Sequence, residues 1–222
     1  MARRDGAGRP ETPGDGAVRR AAAVPAVVAA VVVAGPPGGG KSTVAGRLAR
    51  LAAAGGQPLA VLDQDSMTGT LTRVLTRQLG RPDDLDDPRV RALVREPAYA
   101  ALLAVAVDVL GGGTGCLLVA PFTGERREPL RWRGLEERLR VAGAERVALV
   151  WVTCPPGVLV QRLRERGAPR DDAKLADPAW VRGLDLDPPA VPHLRVDSAA
   201  PAADLDRRLA EVAAALTAAP AG

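Results

Sequence analysis

Five short apolar runs punctuate the chain, at residues 26–34, 59–62, 116–120, 146–152 and 191–196. They do not alternate polar with apolar, as a half-exposed strand does; near-continuous runs of this length belong to strands buried on both faces. Between them lie longer stretches, at 41–54, 66–79, 88–110, 128–142, 156–166 and 202–218, in which apolar residues recur three or four apart. That spacing predicts helices with one apolar stripe. In the 88–110 segment the stripe is Leu102, Leu103, Ala106 and Leu110, which predicts a helix lying over the sheet. Gly55-Gly56 supplies a stop for the first helix. Strand and helix alternate throughout, so the pattern predicts a parallel sheet wrapped by helices, with right-handed crossovers.

Composition adjusts this picture at the ends and in the core. Residues 1–23 are rich in Gly, Pro, Arg and Ala without periodicity, which predicts a disordered arm, and residues 24–222 are expected to form one domain. Hydrophobic residues make up 47% of the chain but only five residues are aromatic, so Val, Leu and Ala must build the core. The formal charge of +4 does not indicate a nucleic-acid partner: the basic residues are interleaved with 26 acids, with no basic stripe and too few aromatics for base stacking. The 30 basic residues are 28 arginines and two lysines, and Ile and Asn are absent, a skew that runs through the whole chain. Cys116 and Cys154 sit among apolar residues and read as small buried hydrophobes in a reducing compartment. His193 is the single histidine, which rules out His-based metal spacing. The longest apolar run, 24–34, is too short to cross a bilayer, and the first residues lack a signal-peptide core. A cytoplasmic protein is expected, as a monomer or homodimer.

The chemistry concentrates after the first strand. Gly35-Pro36-Pro37-Gly38-Gly39-Gly40-Lys41-Ser42 fits G-x-x-x-x-G-K-[ST] at each fixed position, between a buried strand and a helix that carries on through Thr43. Glycines let successive backbone N–H groups turn inward around phosphates. Lys41 sets a compact charge against the β- and γ-phosphates, Ser42 offers a hydroxyl to Mg²⁺, and the helix adds its positive end. In a chain so short of lysine, finding one here is a second sign of this use, and it draws attention to Lys174. The loop predicts binding of a purine nucleoside triphosphate, ATP with Mg²⁺.

Asp63 and Asp65 follow the second strand, at the edge where open α/β sheets bind ligands. On extended chain their side chains would project the same way. This assigns Asp63 to the Mg²⁺ shell and Asp65 to the hydroxyl of an acceptor, whose proton a carboxylate must orient or accept. The alternative is a helix cap at Asp65 or Ser66 beside an ordinary turn acid. Further on, Arg162, Arg166 and Arg170 recur every four residues and lead to Lys174. A helix over 156–166 broken by Gly167 and Pro169 predicts a basic lid around 162–175, closing over the triphosphate and balancing charge in the transition state. Arg126 and Arg127, beyond the third strand, are placed to hold a phosphate or carboxylate of the acceptor; the alternative is a solvated helix start. Trp132, Trp151 and Trp180 read as packing residues. The third strand carries no Walker-B acid, which argues against a motor ATPase, and a chain without Asn cannot carry the Asn-Lys-x-Asp guanine-reading segment.

Together, Asp63-Gln64-Asp65, Ala120-Pro121-Phe122-Thr123 and the stretch from Gly167-Ala168-Pro169-Arg170-Asp171 to Lys174, with the phosphate loop, resemble the P-loop small-molecule kinases. That group includes nucleoside monophosphate, shikimate and gluconate kinases and the zeta-toxin and chloramphenicol phosphotransferase lineage; the chain is most similar to actinobacterial AAA-family ATP-binding proteins. The resemblance covers about residues 27–215. It implies a five-stranded parallel sheet of order 2-3-1-4-5 between helical layers and transfer of the γ-phosphoryl group of ATP to a small molecule. The Gly-rich turn that shikimate kinases carry after their third strand is replaced here by Ala120-Pro121-Phe122. The alternative function is a nucleotide-dependent regulator or switch that hydrolyses ATP.

Overall fold

The computed structural model describes residues 27–80, 87–167, 171, 175–176 and 178–217. The arm expected over 1–23 lies outside them, as do Arg170 and Lys174 of the expected lid. In chain order the elements are β1 (Ala29–Ala34), α1 (Lys41–Ala54), β2 (Leu59–Asp63), α2 (Gln64–Gln78), α3 (Pro88–Gly111), β3 (Gly115–Val119) and α4 (Thr123–Arg127), then α5 (Pro129–Val141), β4 (Arg146–Thr153), α6 (Pro156–Arg166), α7 (Pro178–Arg182), β5 (Leu194–Asp197) and α8 (Ala202–Thr217). The five strands form one parallel sheet in the order β2-β3-β1-β4-β5, as the resemblance implied.

The apolar runs explain the layering. All six residues of β1 are buried, because β1 lies between β3 and β4 and both its faces are covered. Ala30, Val32 and Ala34, with Leu118 of β3 and Trp151 of β4, face one side, where Leu102, Ala106 and Leu110 of α3 and Leu135 and Leu139 of α5 cover them. Val31 and Val33, with Leu117 and Val152, face the other, beneath Val44 and Leu48 of α1 and Leu205, Leu209 and Val212 of α8. The stripe read from the sequence of α3 is thus the face that meets the sheet, with Leu103 packed at its margin. Cys116 and Cys154 are free and buried. Burial pushes the Cys116 thiol up to about 12, which suits a packing residue and not a nucleophile.

Some boundaries differ from the sequence reading. Helix α2 begins at Gln64, because Asp63 caps it by accepting from Ser66 N–H at 3.1 Å. The last strand occupies only Leu194–Asp197; Pro192 has no N–H for a ladder, and His193 Nδ1 lies 2.8 Å from Val191 O. The short helices α4 and α7 are too brief to show a period. No helix among the described residues is long and apolar enough to cross a membrane.

Candidate active site around the phosphate loop

Every carboxyl end of the sheet opens on one edge, and the loop from Gly35 to Gly40 sits there between β1 and α1. Its shape depends on glycine. Gly38 and Gly40 hold left-handed φ values of 71° and 86°, which cost a residue with a Cβ dearly. A Cβ at Gly35 would come within 2.6 Å of the Val152 carbonyl oxygen, so the loop can run against β4 only with glycine there. Gly39 N–H donates to Pro36 O at 3.1 Å, and the Lys41 ammonium donates to the same oxygen at 3.0 Å across the mouth of the loop. Helix α1 has Gly40 at its cap position with no side-chain cap, so its first amides are left facing the loop.

Ser42 and Asp63 meet. The Ser42 hydroxyl donates to Asp63 Oδ2 at 2.6 Å, which joins the start of α1 to the end of β2. Asp63 Oδ1 at the same time caps α2. Two hard oxygens converge beside the loop, a donor set that suits Mg²⁺. Among the described residues no group of three or more His, Cys, Asp or Glu forms a cage of its own, as befits a metal that takes its remaining ligands from phosphate and water. Asp65 stands in the first turn of α2, exposed, at the same edge. The expectation that Asp63 and Asp65 project together from extended chain gives way here: the helix begins between them, so Asp65 lies a part-turn round from Asp63.

The basic residues divide. Arg162 of α6 reaches the loop: its Nη1 donates to Ser198 Oγ and its Nη2 to Ser198 O, both at 2.8 Å, and Ser198 Oγ donates to Gly39 O at 2.7 Å. Arg166, one turn on, donates through Nε to Asp171 Oδ2 at 2.8 Å, and its Nη2 binds the same oxygen. Asp171 is buried. Trp180 packs with Leu159 and Leu163 beneath this end of α6, as a packing residue. Arg170 and Lys174 lie outside the described residues.

Arg126 and Arg127, which the sequence placed at an acceptor, hold carboxylates of this chain. Arg126 is 4% exposed, stacks with its guanidinium carbon 4.5 Å from the centre of the Trp151 ring, and binds Asp185 through Nη2. Burial lowers its pKa to about 10, still far above neutrality, so it remains a cation. Arg127 donates to Asp185 Oδ2 at 2.9 Å and to Asp187 Oδ2 at 3.1 Å. These bonds tie the turn after β3 to the segment that follows α7. Beside them Phe122 has φ 45°, the one positive value at a non-glycine residue among those described. Its N–H donates to the Tyr99 hydroxyl oxygen at 2.8 Å, and the two rings meet edge to face at 5.4 Å. Desolvation raises the Tyr99 pKa to about 12. Strained backbone of this kind clusters at ligand sites, and here it borders the edge that carries Asp65.

Ser198 is the residue that the sequence reading missed. Its one available signal was position, immediately beyond the last strand and so on the ligand edge. A separate cavity of about 650 Å³, bordered by Trp132, Arg146, Leu149 and His193, lies toward the amino end of β4 and away from the loop.

Residues 31–184 match the profile of a family described as an AAA domain. No curated protein matches the chain. Among solved structures, a candidate kinase from Chloroflexus aurantiacus J-10-fl is similar at 24% identity and a TM-score of 0.57, over 83% of this chain and 96% of that one. A gluconokinase from Sinorhizobium meliloti 1021 is similar at 21% identity and a TM-score of 0.52, over 86% and 94%. At these identities the likeness is one of fold.

Proposed function

The chain belongs to the AAA domain family, and from that premise we propose that it is a phosphotransferase moving the γ-phosphoryl group of ATP to a hydroxyl of a small molecule. The observation that carries this reading is the 2.6 Å bond between Ser42 and Asp63, with Asp65 in the next turn at the same edge. A loop that only binds nucleotide needs the serine; a second carboxylate on the ligand edge, Asp65, supports a role for an acceptor.

In this reading residues Gly35 to Thr43 cradle the phosphates with their amides, and Lys41 leaves Pro36 O to lie against the β- and γ-phosphates. Ser42 and Asp63 hold Mg²⁺, which when bound neutralises phosphate charge. Asp65 orients the acceptor hydroxyl and accepts its proton as the acceptor oxygen bonds to the γ-phosphorus and the bond to the ADP oxygen breaks. Arg162 and Arg166 border the phosphates, and Arg166 with Arg170 balances the charge that develops during transfer. Arg170 and Lys174 belong to the lid. Arg127, a third exposed, is the better placed of the two arginines after β3 to meet an acidic group on the acceptor; Arg126 holds the turn in place. The acceptor pocket is assigned to residues 66–110 and 121–131, and the protein to the cytoplasm.

The test is Asp65→Asn alongside an ATP-consumption screen against sugars, aminoglycosides, nucleosides and amino-acid-like alcohols. The variant is expected to bind ATP within about threefold of the parent while acceptor-dependent turnover falls by at least about a hundredfold. Full turnover in Asp65→Asn removes the residue from the chemistry. ATP hydrolysis that no acceptor stimulates favours the nucleotide-dependent switch.

A further inference from the structure

We infer that Ser198 is a positioning residue for the phosphate loop, pinning the Gly39–Gly40 peptide so that its amide faces the phosphates. The inference rests on the phosphate-binding reading of the loop and adds to it a residue from the far end of the sequence. Four bonds make Ser198 a junction. Its N–H donates to Thr153 O at 2.9 Å, which fixes it to the end of β4. Its hydroxyl donates to Gly39 O at 2.7 Å. Its Oγ and backbone O accept the two Nη groups of Arg162, and the Cys154 thiol lies beside the same hydroxyl.

The reason that the loop needs such a pin lies in its glycines. The peptide between Gly39 and Gly40 has no Cβ on either flank, and Gly40 already sits at φ 86°. Rotation of that peptide meets little steric resistance. The neighbouring turn is held from within the loop by the Gly39 N–H to Pro36 O bond, but that bond leaves the next carbonyl unconstrained. A trans peptide is planar, with its C=O and the following N–H pointing opposite ways. Holding Gly39 O outward on Ser198 therefore turns Gly40 N–H inward, toward the space that the phosphates take. Substituting Gly40 would disturb the same junction, since a Cβ there would lie 3.2 Å from Ser198 Oγ and 3.3 Å from Arg162 Nη1.

The pin acts on phosphate alone, which separates it from a contact to the base or ribose, and rescue by the conservative variant separates it from a general structural role. Titration calorimetry of the full chain with ATP and with inorganic tripolyphosphate, both with Mg²⁺, is the experiment. Ser198→Ala is expected to weaken both ligands by the same factor, about tenfold, the loss of one hydrogen bond to a charged group. Its ligand-free melting temperature is expected to fall by a few degrees, since Gly39 O and Arg162 Nη1 each lose a partner, while the folded fraction at room temperature stays complete. Ser198→Thr keeps the hydroxyl and is expected to bind both within about twofold of the parent. Equal binding by Ser198→Ala and the parent overturns the inference. So does weakened ATP binding with unchanged tripolyphosphate binding, which would move Ser198 to the base or ribose. Should Ser198→Ala fail to fold, weakened tripolyphosphate binding in a folded Ser198→Thr overturns it equally. A parent chain that binds neither ligand refutes the phosphate-binding reading itself, a result distinct from any of these.

Discussion

At Asp63 one carboxylate serves two elements. Oδ1 caps α2 through Ser66 N–H and Oδ2 accepts from Ser42, so a single substitution can confuse a folding effect with a binding effect. The two separate by choice of replacement. Asn caps helices as well as Asp does, whereas Ala forfeits the cap at a cost of about 1 kcal/mol. Asp63→Asn is therefore expected to melt within about 2 °C of the parent. Its affinity for ATP in the presence of Mg²⁺ should fall by about tenfold or more, because a neutral amide is a poor ligand for a hard cation. Binding of metal-free ATP should be unchanged, and calorimetry with and without EDTA reads the difference. Unaltered Mg²⁺-dependent affinity would take Asp63 out of the metal site. This residue and Ser42 were legible in the sequence, Ser42 because it holds a fixed position of the phosphate loop and Asp63 because it ends a strand on the ligand edge. Ser198 was not. Its partners, Gly39 and Arg162, are far from it in sequence, and nothing local marks a serine that holds a distant carbonyl.

Among elements, the long helices were legible because three or four turns of apolar spacing leave little choice; α1 and α6 fall where the pattern puts them. Elements governed by a single contact were not. The start of α2 moved by two residues because one aspartate caps in place of the next. The turn after β3 is shaped by Phe122 in a conformation that sequence rules reserve for glycine. What holds that turn is a bond from another element: Tyr99, on α3, accepts the Phe122 amide. Tyr99→Phe keeps the ring contact but leaves this N–H without its acceptor, at an expected cost of about 1–3 kcal/mol. Urea unfolding measures it directly. Stability equal to that of the parent would show that the amide finds another acceptor and that the tyrosine does not support the turn.

Across the whole molecule, alternation of buried runs with helices was enough to predict a parallel sheet, while the order of its strands came from resemblance and not from pattern. Once that order is set, the gathering of the site follows. Parallel strands end on one edge, so Gly35, Asp63, Phe122, Cys154 and Ser198 arrive together from five separate parts of the chain. The sequence could name which residues follow strands; it could not show that Arg126 and Arg127 would meet Asp185 and Asp187 in place of solvent or an acceptor. The phosphate loop lies at the centre of that edge. The most direct test of its role is the melting temperature of the parent and of Lys41→Ala with and without ATP and Mg²⁺. With ATP at a hundred times its dissociation constant the parent should gain about 2.7 kcal/mol, a rise of roughly 5–10 °C for a chain of this size, and Lys41→Ala should show none. An equal rise in the variant, or no rise in the parent, would contradict the assignment of the loop to a nucleoside triphosphate.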